Sequence, residues 1–372
     1  MRASIRLGSL FGIPLGINYT WFIIFVLVTL SLALHYFPST YPQWPARTYW
    51  VIGIATSVIF FASVVAHELA HSLVSMANGV PVKSITLFIF GGVAEIGEEA
   101  RRPSGELVMA LAGPLASLVI AVFFTLMWLL LTPINEPLAA LSNWLIRINL
   151  LLAIFNLIPG FPLDGGRVLR SIIWWISGNY RQATRFASYA GQGIAYLFIL
   201  GGIFIMFSGD WLNGLWFALI GWFLDSAAAG GYRQAVLQDN LRGYTAGDLM
   251  TQDCVMVPLD LSVGDLVRHH ILPTARRCFI VTQGDHLEGI MTLHNVKSIP
   301  QDRWDITSVS QAMTPASQLK TAHLKDNALS VLQKMDEADI SQMPVVEGGK
   351  VVGMVARDNL LRFIRMRAEL GA

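Results

Sequence analysis

The residues of this 372-residue chain best suited to chemistry are His67-Glu68-Leu69-Ala70-His71. On a helix, positions four apart lie on one face. His67 and His71 can then offer two imidazole nitrogens to one metal ion, with Glu68 one step round the helix beside it. The setting sharpens the reading. No charged residue occurs from Thr48 to Ala66, so the pair closes an apolar run. Ionisable groups in a membrane helix are expensive and by default mark a functional site. A polar patch near a helix end is the competing reading.

A second stretch carries further chemistry: Asn156-Leu157-Ile158-Pro159-Gly160-Phe161-Pro162-Leu163-Asp164-Gly165-Gly166-Arg167. Prolines and glycines break a helix here, which a membrane segment tolerates only where the freed backbone is satisfied. Asp164 either caps a helix at the interface or supplies a carboxylate. In the second case it completes a His₂-carboxylate zinc site with one position open for water.

Apolar runs must position both stretches. Hydrophobic residues make up 54% of the chain and charged residues 14%, far from a soluble average. The bias ends near residue 235, so a membrane domain over 1–235 precedes a soluble part. A span needs roughly 20 apolar residues. Six are expected: Leu7 to Leu34, Tyr49 to Met76, Leu107 to Leu131, Trp144 to Leu163, Phe186 to Phe207, and Trp211 to about Ala229. The first has no small-residue cleavage site after it and reads as a retained span.

Basic residues gather on one set of connections: Arg2 and Arg6; Lys83, Arg101 and Arg102; Arg167, Arg170, Arg181 and Arg185; Arg233 and Arg242. That side is the cytoplasm. Both termini then lie inside, span two runs inward, and His71 sits about 10 Å from its inner end. Asp164, at the inner end of span four, shares that depth. The net charge of +1 argues against a nucleic-acid partner. Cys254 and Cys278 suggest no disulfide framework and fit a reducing compartment.

Between spans two and three, two β-rich runs flank Gly91-Gly92 and read as a tight hairpin. It is either a short surface hairpin or a strand edge dipping toward the metal, able to pair with an unwound peptide. Small residues around Ala112-Gly113-Pro114-Leu115-Ala116-Ser117 suit close helix packing.

Together, His67-Glu68-x-x-His71 and Asn156-x-x-Pro159-x-x-Pro162-Leu163-Asp164-Gly165 resemble the site-2 protease family, zinc proteases that cut within the membrane. The resemblance covers about residues 10 to 235. It implies His67, His71 and Asp164 as ligands of one zinc ion and Glu68 as catalytic base. It further implies Asn156 as a contact to substrate or the developing oxyanion, and the Gly91-Gly92 hairpin as the family's membrane-entering, substrate-binding β element. One departure is visible: Ser117 stands where many relatives have asparagine after the Gly-Pro of span three.

After a linker over 236–244 the chain repeats. Leu249-Met250-Thr251 recurs as Ala312-Met313-Thr314, and Gly289-Ile290-Met291 as Gly353-Met354-Val355, the mark of two copies of one supersecondary unit. The copies, over 245–301 and 308–370, resemble a pair of CBS modules of soluble α/β fold. The resemblance implies an adenine nucleotide in the inter-module clefts, with Thr292, Asn295 and Asn359 at its ribose-binding positions, and a homodimer through the pair. Neither copy keeps the family's acid six residues after the glycine, and Ala356 lacks the hydroxyl that Thr292 has, so weak binding is expected. His269, His270, His286, His294 and His323 scatter through this tail and read as surface or core histidines.

The expected protein is a polytopic α-helical membrane protein of six transmembrane helices with a membrane-entering β-hairpin, lying in the plasma membrane. Its expected function is zinc-dependent hydrolysis of peptide bonds in or near the transmembrane helix of a single-span substrate in the lipid bilayer, with the CBS pair as a cytoplasmic regulatory or nucleotide-sensing module. The rival is a CBS-gated metal or ion transporter, since broken helices also build transporter sites. Glu68 discriminates, because metal transport has no use for a general base directly after the first ligand.

Overall fold

The computed structural model describes residues 5–89, 91–96, 102–241, 243–251, 255–274, 276, 278–284, 286–348 and 350–370. Arg2, Phe90, Arg101, Arg242 and Cys254 lie outside them. The chain forms two compact units, Met1–Ala235 and Val236–Ala372.

Among the described residues, six helices of the first unit are long and apolar enough to cross a membrane: α1 (Thr20–Thr40), α2 (Ala46–Ala77), α3 (Pro103–Leu131), α4 (Glu136–Asn156), α6 (Tyr180–Phe207) and the Trp211–Arg233 part of α7 (Trp211–Leu241). The shorter α5 (Asp164–Ser177) lies between α4 and α6. Outward-facing Leu197, Leu200, Phe204 and Phe207 are 63–89% exposed. Apolar surface of that extent on one helix calls for lipid.

Helix α2 is the axis of the unit. Its 32 residues make a rod about 48 Å long. Its buried face includes Ile52, Thr56, Val64, His67, His71 and Ser75. The hydroxyls satisfy themselves without water. Thr56 donates to Ile52 O at 2.7 Å, Ser63 to Ile59 O at 3.0 Å and Ser75 to His71 O at 2.8 Å. The helix stops at Gly79, whose φ of +76° suits glycine. Gly79 N–H bonds to Met76 O at 3.0 Å and Val80 N–H to Ser75 O at 3.0 Å, the paired bonds of a Schellman stop.

A four-stranded sheet, in the order β1-β2-β3-β4, accompanies the helices. Its strands are Ile5–Leu10, Ile13–Ile17, Val82–Phe88 and Gly91–Ile96. β2 runs parallel to β3 (Gly16 opposite Thr86), and the other two pairings are antiparallel.

Three expectations are corrected. Span one starts at Thr20 rather than Leu7, because residues 5–17 form the β1–β2 hairpin. Its turn takes Phe11 at φ 52° and Gly12 at φ 82°, and Asn18 Oδ1 then accepts from the Thr20 N–H at 3.1 Å to open α1. Gly91 and Gly92 are not the turn of the second hairpin. They open β4, opposite Phe88 and Leu87. Span four is α4, displaced toward the N-terminus from the expected Trp144 to Leu163. Asn135 caps it by accepting from Leu138 N–H at 3.1 Å, and it ends at Asn156. Asp164 therefore begins α5 and does not end a span.

The second unit holds two small sheets, β5-β6-β7-β8 and β11-β10-β9. The first repeat supplies β5 (Met256–Pro258), β6 (Cys278–Gln283) and β7 (His286–Thr292). The second supplies β8 (Thr314–Pro315), β9 (Ala322–His323), β10 (Gln342–Glu347) and β11 (Lys350–Ala356). The repeats exchange their opening segments. Thr314 and Pro315 pair onto Ile290 and Gly289 of β7, and Thr251 bridges to Met354 of β11. Gly289 makes room for Met313, and Gly353 for Met250. The two recurring motifs of the sequence thus meet crosswise.

Candidate metal centre

Three donor atoms from two elements converge inside the first unit. His67 Nε2 and His71 Nε2 on α2 are 3.3 Å apart. Asp164 Oδ2, at the first residue of α5, lies 3.2 Å from the former and 3.1 Å from the latter. Among the described residues this is the one group of three such side chains spaced to hold a metal ion. A tetrahedral zinc ion with bonds of about 2.0–2.1 Å sets its ligands about 3.3 Å apart, so the donors fit it in type and spacing. Both histidines are buried, at 3% and 4% exposure.

One face of α3 completes the surroundings. His71 Nδ1 donates to Met109 O at 2.6 Å. A carbonyl only accepts, so the proton belongs on Nδ1 and the Nε2 lone pair faces inward. His67 Nδ1 meets Ser117 Oγ at 2.9 Å; this serine, the departure noted above, holds the ring. Between them on the helix is Gly113. A Cβ there would lie 2.5 Å from His67 Nε2 and against His71 Nε2. The bare backbone leaves open the space the donors face.

The break after α4 is set by backbone contact. A Cβ at Gly165 would strike the carbonyls of Leu157 and Ile158, and one at Gly166 would strike Gly160. The turn therefore folds directly onto the first turn of α5. Phe161 N–H bonds to Ala187 O of α6 at 3.1 Å, and Leu163 is buried with Ala195 and Leu224. Asn156 closes α4 at the head of this turn, half-buried.

Glu68 lies on α2 next to His67, half-buried. Strand β4 lies over it: a Cβ on Gly92 would come 2.5 Å from Glu68 Cγ and 3.3 Å from Oε1. Gly92 is thus adjacent to the carboxylate, and Gly91 precedes it at the start of the same strand.

The expected nucleotide residues of the tail are engaged within the protein. Asn295 Oδ1 accepts from Thr292 N–H at 3.0 Å and contacts Thr292 Oγ1. Its Nδ2 donates to Ala312 O at 3.0 Å and Thr314 Oγ1 at 3.3 Å. Asn359 Nδ2 donates to Thr251 Oγ1 at 2.8 Å. Each asparagine thus grips the opening segment contributed by the other repeat.

Folding also reveals neighbours that the motifs do not contain: Met109, Gly113, and the buried pair Glu106 and Arg170. The available signal was the 106-109-113-117 spacing on α3, one helical face.

The model of peptidase family M50 matches residues 55–140 and 133–201, and the CBS domain model matches residues 309–366. The chain is 36% identical over 371 residues to "Putative zinc metalloprotease sll0528" of Synechocystis sp., covering 99% of this chain and 97% of that one. It is 33% identical over 368 residues to the likewise named Rip3 of Mycobacterium tuberculosis, covering 98% and 93%. Among solved structures it is similar to the site-2 protease from Methanocaldococcus jannaschii, with 29% identity and a TM-score of 0.43 over 62% of this chain and 95% of that one. With relatives matching along nearly its whole length and the family model covering both histidines of α2 and the Asp164 turn, the chain belongs to peptidase family M50, the site-2 proteases, as a multi-pass membrane zinc metalloprotease that carries a CBS domain.

Proposed function

We propose that the protein hydrolyses peptide bonds within or near the transmembrane helices of single-span membrane proteins, using one zinc ion held by His67, His71 and Asp164. The observation that carries this reading is the meeting of those three donor atoms at 3.1–3.3 Å, with Glu68 next in sequence. A zinc ion held by these three residues would supply an acidified water and polarise the scissile carbonyl. Glu68 takes the proton from the water and returns it to the leaving amine. Asn156 donates a hydrogen bond to the oxyanion, as a preorganised amide does. Ser117 and the Met109 carbonyl hold the imidazoles in place.

A helical substrate must first unwind, because its carbonyls are tied in i to i−4 bonds. β4 is an edge strand of its sheet, and its Gly92 lies against Glu68. An unwound segment adding to that edge would be held by main-chain hydrogen bonds next to the base. The excess of basic residues on one side supports a cytoplasmic side for both termini and the CBS pair, and the chain is assigned to the plasma membrane. The domains are assigned as 1–235 for the protease, 236–244 for the linker, and 245–301 and 308–370 for the CBS modules. The pair is a regulatory module with a weak adenine-nucleotide site, and it offers a surface for a homodimer.

Glu68→Gln tests the reading against the transporter alternative. The variant is expected to keep zinc and fold while cleavage of a model membrane substrate falls by about 10² to 10⁴, the usual worth of a general base. Cleavage within about tenfold of the parent at equal zinc occupancy would refute it.

A further inference from the structure

Glu106 is fully buried at the start of α3, in a position that hydrolysis does not use. Its Oε1 accepts from Arg170 Nε at 2.6 Å and also from Arg170 Nη2. Arg167 Nε lies 4.0 Å from the same oxygen. The Arg170 guanidinium donates to Tyr180 Oη at 2.5 Å, and it sits 4.9 Å from the Phe161 ring centroid and 4.8 Å from that of Tyr180. One side chain of α5 thereby joins α3, the turn after Asn156 and the start of α6.

The pair lies at a measured offset from the metal centre. On α3, Glu106 precedes Gly113 by seven residues, about 10 Å along the axis. On α5, Arg170 follows Asp164 by six residues, about 9 Å. Glu106 meets Arg170 while Gly113 faces the donors that Asp164 Oδ2 contacts. The two helices therefore run antiparallel in register, with the ion pair at one end and the donors at the other. A slip of one helical turn would displace Asp164 by about 5.4 Å, beyond reach of either histidine. A buried ion pair is a poor source of net stability, and its best attested use is to select one register.

We infer that Glu106 and Arg170 are positioning residues that set the axial register of α5 on α3 and so place the Asp164 carboxylate opposite the two histidines. This rests on the reading of His67, His71 and Asp164 as metal ligands. The same face of α3 also carries Met109, Gly113 and Ser117. It therefore fixes the two imidazoles directly and the carboxylate through Arg170.

The test uses purified full-length protein in detergent and measures zinc affinity by competition with a chromophoric chelator, beside thermal unfolding in excess chelator. Glu106→Gln keeps the side-chain volume and one acceptor, Arg170→Lys keeps the charge but not the fork, and Tyr180→Phe removes one partner of the fork. Glu106→Gln and Arg170→Lys are expected to weaken zinc binding by about 10- to 100-fold, the range seen when groups supporting metal ligands are removed, with a smaller loss in Tyr180→Phe. A merely structural pair would lower thermal stability and leave zinc affinity unmoved, and that result overturns the proposal. Failure of all three variants to fold assigns the pair to the fold alone and also overturns it. The parent and His67→Ala separate the two levels. If the parent binds no zinc, or His67→Ala binds it equally well, the metal reading itself fails. If the parent binds and His67→Ala does not, only the register is in question.

Discussion

Gly113→Ala adds one methyl group in the place where the site can least accept it. The new Cβ would lie 2.5 Å from His67 Nε2 and closer still to His71 Nε2, so it would have to retreat by more than about 0.9 Å to reach the 3.4 Å of ordinary contact, before any ion is considered. Retreat is opposed by the anchors of α3 on either side, Ser117 on His67 and Glu106 on Arg170. Two energies compete in the metal-free fold. Alanine is preferred over glycine in a helix by about 1 kcal/mol, and overpacking costs about 1–3 kcal/mol. The balance is a loss of about 0–2 kcal/mol, so the variant should still fold. Zinc is not so easily accommodated, because the methyl occupies the space its ligands face. The expected result is a folded protein with almost no zinc and with cleavage reduced at least about 100-fold, the order expected from a misplacement of about 1 Å. Elemental analysis of zinc per chain, thermal unfolding in chelator and cleavage of a membrane-embedded peptide would be read together. One zinc per chain at parental affinity would show that Gly113 serves helix packing alone and that the donors face another way.

Asp164→Ala is expected to lower zinc affinity sharply, whereas the distant His269→Ala change should not; full zinc content in Asp164→Ala would reduce that carboxylate to a helix cap. In the tail, calorimetry of the full-length protein with ATP or AMP should show weak binding, because Asn295 and Asn359 spend their amides on Thr314 and Thr251; submicromolar affinity would contradict this.

What could be read from the sequence divides along physical lines. His67, Glu68 and His71 were legible because a single helix fixes their relation. Asp164 was legible because prolines and glycines in an apolar stretch demand a reason. The contributions of α3 were hidden, since Gly113 and Ser117 in a row of small residues look the same whether they serve a neighbouring helix or a metal centre. Only the partner's position, set by a contact 50 residues away in sequence for Ser117 and His67, tells the two apart. Hydropathy also overran the start of span one. Residues 7–17 are as apolar as a helix needs, and hydropathy carries no backbone preference, yet Gly8, Gly12, Pro14 and Gly16 favour the hairpin that forms there. The same blindness displaced span four, where Asn135 opens the helix well before the residues chosen from their polarity.

The exchange of opening segments in the second unit has a topological consequence. Each repeat borrows an edge strand or bridge from the other, through Thr314 and Pro315 on β7 and Thr251 on Met354. Each repeat is therefore completed by a segment of the other. A chain cut between them would leave β7 with a bare row of backbone donors and acceptors, an edge that invites another molecule. The replacement for a missing segment of this kind is the same segment from a second copy, which is how domain swapping arises. The connection between the repeats, residues 302–307, makes the exchange intramolecular, and so sets a high local concentration against assembly between chains.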